Sequence, residues 1–68
     1  MTEKRAKFVM AFARNNMNMR EAGRAMFMHT TSVLYNLNRV YEQTGKNPRE
    51  FFDLCYLVGI AAQMGGGK

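Results

Sequence analysis

The feature that most constrains this chain is the punctuation between Asn18 and Gly45, where two helix starts and two helix stops fall within one short stretch. Asn18 suits an N-cap, and Glu21, three residues on, is placed to reach back to the Asn18 amide as in a capping box. Ala22, Ala25 and Met26 give the next segment an apolar side, and Met17 before the cap can staple onto its first turn. Phe27, Met28 and His29 then break the pattern, and Thr30, Thr31 and Ser32 offer hydroxyl groups for a new start. From there Val33, Leu37 and Val40 recur at helical spacing, with Tyr41 widening the stripe and Ser32, Tyr35, Asn36 and Arg39 on the opposite face. Gly45 stands where a helix takes a left-handed closing residue, and Lys46 beside it suits the negative end of the helix dipole. A short helix, a tight corner and a longer helix make the outline of a helix-turn-helix.

The flanks supply one helix on each side. Phe8, Val9, Phe12 and Ala13 form an apolar stripe with Lys4, Lys7 and Arg14 on other faces, and Asn15 with Asn16 favours a turn. After Gly45, the run Asn47, Pro48, Arg49, Glu50 reads as N-cap, first-turn proline and capping-box acid. The expected helices are therefore about 2–15, 19–26, 31–44 and 48–63, in one all-α, four-helix domain over residues 1–64. Gly65, Gly66, Gly67 and Lys68 read as a flexible tail. With 68 residues the chain has room for one lean core and none for a cleft between lobes.

Ten Lys and Arg against five Asp and Glu give +5 at neutral pH, a bias towards polyanionic partners. The single cysteine, Cys55, excludes an internal disulfide, and a reducing cytoplasm is the expected location. Cys55 itself reads as a small buried hydrophobe. The longest apolar stretch, Phe51 to Ala62, contains Asp53 and falls short of the roughly 20 residues that span a bilayer, and the N-terminus carries no signal-peptide pattern. No acid/base pair, activated nucleophile or zinc spacing appears, so no enzyme, no cofactor, no metal and no small-molecule substrate are expected.

Where two helices of such a motif cross, the first must carry a small residue. Gly23 is the expected crossing point, with close approach offsetting a helix-propensity cost of about 1 kcal/mol. The register of Asn18, Glu21, Ala22, Arg24, His29, Tyr35, Leu37, Arg39, Glu42, Thr44 and Gly45 resembles the C-terminal helix-turn-helix domain of PucR-type and sugar-diacid-regulator (CdaR-type) bacterial transcription factors. The likeness extends through Ala11, Phe12 and Asn16 on one side and Pro48 and Leu54 to Ile60 on the other. It implies a Fis-like or homeodomain-like fold and a DNA-binding role in a transcriptional regulator. The chain departs from the family pattern at Thr30 and Thr31, where the family has Arg and Asn, and at Asn36, where it has a second Arg. Two positive charges are missing from the expected DNA face.

On this reading the segment after His29 is a recognition helix in the major groove of double-stranded DNA. Its base-facing residues would be Thr30, Thr31, Ser32, Tyr35, Asn36 and Arg39. Arg20, Arg24, His29 and Lys46 are the expected phosphate contacts. His29 serves either a backbone bond at the corner or a phosphate, and Tyr35 either a phosphate or the edge of the core. One recognition helix reads only a few base pairs, so a homodimer on paired half-sites is expected. The apolar last helix, with Phe51, Phe52, Tyr56 and Leu57 on more than one face, offers a surface for that dimer or for docking to an upstream sensor domain. Two other functions fit the same scaffold: a protein-interaction module with weak or no DNA binding, and a Fis-type architectural protein that relies on phosphate contacts.

Overall fold

A computed structural model describes residues 1–64 and contains four helices: α1 (Glu3–Arg14), α2 (Met19–Met26), α3 (Thr30–Thr44) and α4 (Phe51–Gln63). The tail expected at 65–68 lies outside the described residues. Helix α1 is the hub: it packs against each of the other three, α2 packs on α3, and α4 lies against α1 alone. The core is correspondingly centred on Ala6, Phe8, Val9 and Phe12 of α1, which meet Ala22, the stripe Val33, Leu37 and Val40, and Leu54, Leu57 and Ala61. Full burial of each large side chain contributes roughly 1.5–3 kcal/mol, so the α3 stripe anchors that helix in one orientation.

Local chemistry sets most of the helix ends. The Thr2 hydroxyl accepts from the Arg5 amide at 3.2 Å and starts α1. Asn15 closes α1 by donating from its side chain to Ala11 O at 2.7 Å, and the chain turns through left-handed Asn16 and Met17. Asn18 caps α2, its Oδ1 accepting from the Glu21 amide at 3.1 Å. The other half of the expected capping box is absent, because the Glu21 carboxylate instead accepts from Arg24 at 3.2 Å. Ala25, expected on the apolar side of α2, is exposed, and Tyr41 is half exposed rather than part of the buried stripe.

The corner after α2 is a Schellman closure. Phe27 is left-handed, its amide donates to Arg24 O at 3.2 Å, and the Met28 amide donates to Gly23 O at 2.8 Å. Helix α3 starts at Thr30, one residue earlier than expected, with His29 in the capping position but making no side-chain capping bond. At its other end Gly45 takes φ 74° and donates to Tyr41 O, as its position predicts.

The start of α4 departs from expectation by three residues. Asn47 Oδ1 accepts from the Arg49 amide at 3.0 Å, and the Glu50 amide donates to Asn47 O at 2.9 Å, so Asn47–Glu50 forms a separate turn with Pro48 buried at its centre. The helix begins only at Phe51, and Asp53 in its first turn accepts from the Asn47 amide at 3.1 Å, tying turn to helix. An Asn-Pro pair serves a turn as readily as a helix start. Burial of Pro48 favours the turn here.

Candidate nucleic-acid interface

With Val33, Leu37 and Val40 fully buried, the 100° step of a helix turns Thr31, Tyr35 and Asn38 to the opposite side, and all three are exposed. Thr30 is exposed at the helix start and Ser32 is half buried. From Thr31 to Asn38 the helix rises roughly 10 Å, the length of about three base-pair steps. Glu42 lies one turn further along the same side and is exposed, so a carboxylate marks the end of the polar strip.

Asn36 does not belong to this face. It is only 7% exposed, and its amide Nδ2 donates to Ser32 O at 2.8 Å. Lying three residues after Val33 and four before Val40, it borders the buried seam, where its amide satisfies a carbonyl of α3 itself. The pairing with adenine expected for it has no exposed amide to make it. Asn38 is the residue that sequence reasoning passed over. Helical periodicity alone would have found it, since it falls three residues after Tyr35 and seven after Thr31.

Arg39 lies at the flank of the strip with its side chain 42% exposed. Its guanidinium donates to Glu42 at 2.7 Å, while its Nε is covered and unpartnered. Any base contact by Arg39 has to compete with Glu42. On α2, Arg20 and Arg24 are both exposed, and the pair of Arg24 with Glu21 leaves the arginine side chain 75% exposed. A pair in such open solvent is weak and releases its cation readily. His29 is exposed beside the first turn of α3, whose leading amides have no side-chain cap, an arrangement that favours an anion. The His29 imidazole makes no bond to backbone at the corner, which was one of its two expected roles.

Lys46 behaves differently from the other three expected phosphate contacts. It is half buried, and its ammonium lies 5.1 Å from the centre of the Tyr56 ring, in a cation–π contact between the loop and α4. A 15-residue helix is roughly 22 Å long, so Lys46 also stands a full α3 length from Thr30. The contact ties the loop after α3 to α4.

Gly23 is buried under the corner. A Cβ built on it would stand 2.7 Å from Met28 O and 3.5 Å from Val33 Cγ2, so the corner and the first turn of α3 close directly onto the bare glycine. Away from α3, an open groove of about 520 Å³ runs between α1 and α4, lined by apolar side chains including Met17, Phe51, Leu54 and Val58. Cys55, expected to be buried, is exposed there, and Phe51, Phe52 and Tyr56 are exposed on α4. Among the described residues no three His, Cys, Asp or Glu side chains cluster to hold a metal, and no helix is long and apolar enough to cross a membrane.

A short helix capped by asparagine, closed over a glycine, and followed by a longer helix with a free polar face defines a helix-turn-helix domain of the transcription-regulator class. The model of one family, described as the PucR C-terminal helix-turn-helix domain, matches residues 6–59, and the chain belongs to that family. Neither the curated proteins nor the solved structures yield a match.

Proposed function

We propose that this domain binds double-stranded DNA for a cytoplasmic bacterial transcriptional regulator, with the N-terminal half of α3 in the major groove and a second copy on a paired half-site. Thr30, Thr31, Ser32, Tyr35 and Asn38 face the bases, Arg39 joins them when released from Glu42, and Arg20, Arg24 and His29 hold phosphates. No cofactor or covalent step is involved. The observation that carries this reading is the division of α3 into a fully buried apolar stripe and an exposed polar strip, which leaves the helix free to enter a groove about 12 Å wide. Family membership and the +5 charge support it.

Titration of the domain with duplex DNA at two salt concentrations, followed by amide NMR shifts, tests the proposal. Shifts centred on Thr30 to Asn38, falling steeply with salt, are expected. Shifts confined to α4 would overturn it. A second reading, a protein-interaction module on the same scaffold, is favoured by one observation: the only cation on α3 is Arg39, and it is paired with Glu42. An α3 that stays unperturbed by duplex DNA at low salt would select that reading.

A further inference from the structure

Among the described residues, three other than glycine hold a left-handed backbone: Asn16 (φ 58°), Met17 (φ 61°) and Phe27 (φ 57°). A side chain with a Cβ is strained there. Asparagine is among the residues that tolerate it, and Met17 is held by packing against the core. Phe27 has neither compensation. Its ring is 97% exposed at the closing position of a Schellman turn, where glycine would be free of strain. The corner thus holds a large apolar ring in water, on a strained backbone, where the ring adds nothing to the buried core.

The surroundings indicate what the ring meets. Phe27 lies two residues before His29 and three before Thr30, at the end of α3 that carries Thr30 and Thr31. Arg24 lies one turn back with its side chain 75% exposed, and the only carboxylate of α2, Glu21, is bound to it. Met28, the next residue, is also exposed. An apolar tip with an exposed arginine one turn away is complementary to a polyanion that displays an apolar group beside its phosphates. In the major groove of DNA that group is the 5-methyl of thymine, which phenylalanine recognises by contact.

We propose that Phe27 is a specificity-determining contact that seats on a thymine methyl at the edge of the major groove, a proposal that rests on the DNA-binding reading above. Burying ring and methyl together removes apolar surface of both from water. The strain at Phe27 is retained because a glycine could not make this contact.

The test is selection of duplexes from a random pool by the wild-type domain and by Phe27→Gly. Affinities are then measured for the selected duplex with uracil in place of the enriched thymine. Wild type is expected to enrich thymine at one position per half-site and to lose about fourfold in affinity on removal of that methyl. Phe27→Gly is expected to show neither effect and to melt at a higher temperature than wild type. The same thymine preference in both proteins, an equal response to uracil, no thymine enrichment by wild type, or a lower melting temperature for Phe27→Gly would each overturn the proposal while leaving DNA binding intact. Absence of any duplex binding by wild type would remove the DNA reading and this proposal together.

Discussion

The carbonyl oxygen of Met28 stands 2.7 Å from where a Cβ on Gly23 would be, and the carbonyl of Gly23 itself accepts the Met28 amide at 2.8 Å. The corner is drawn onto α2 by the same residue whose missing side chain makes room for it. Gly23→Ala would gain about 1 kcal/mol in helix propensity yet force backbone against Cβ, a strain of roughly 1–3 kcal/mol. A net loss of stability is expected, seen as a lower midpoint in thermal unfolding by circular dichroism, and Gly23→Val should be worse. A more stable Gly23→Ala would show that the corner yields freely.

Two asparagines on α3 should separate stability from binding. Asn36 is buried and bonded to Ser32 O, so Asn36→Ala should cost about 1 kcal/mol of stability and leave duplex affinity within twofold. Asn38 is exposed, so Asn38→Ala should leave the unfolding midpoint in place and weaken duplex binding severalfold. Denaturant unfolding beside fluorescence anisotropy on labelled duplex measures both. The reverse pattern would mean that α3 presents a different face.

Thr30 occupies the first turn of α3, exposed and beside the uncapped helix start. Thr30→Arg should therefore tighten duplex binding and steepen the dependence of log affinity on log salt by about one unit, the signature of one further phosphate contact. Unchanged affinity and slope would place this end of the helix away from the backbone.

Gly45 and Gly59 both have open space where a Cβ would go, but only Gly45 is left-handed, at φ 74°. Gly45→Ala should lose about 1 kcal/mol through backbone strain alone. Gly59, inside α4, should gain roughly 0.5–1 kcal/mol on replacement by Ala. Opposite shifts of the unfolding midpoint are expected, and shifts of the same sign would contradict the backbone account.

Much of the helix-turn-helix was legible because its signals are local. Asn18 and Gly45 act through bonds to amides and carbonyls within a few residues, and the spacing of Val33, Leu37 and Val40 reports a buried stripe whatever it is buried against. Gly23 was legible because a close crossing calls for a small residue at that place in α2. Asn38 was legible from periodicity, since it lies opposite the stripe. Asn36 was harder: it borders the stripe, and how far burial spreads beyond the apolar residues is set by the packing of the other helices, which one-dimensional spacing does not carry.

What the sequence by itself determined, then, was the order of the helices, the cap of α2, the stop of α3 and the face that α3 turns inward, since each rests on contacts within a turn or two of chain. Only the tertiary structure decided that Asn47–Glu50 is a turn rather than the start of α4. It also decided that Lys46 lies over Tyr56, that Asn36 is buried while Cys55 is exposed, and that Phe27 stands in solvent at a strained corner. For the turn, Lys46, Asn36 and Cys55 the local options differ little in free energy, and packing between segments distant in sequence selects among them; at Phe27 the closure of the corner onto Gly23 outweighs the backbone strain.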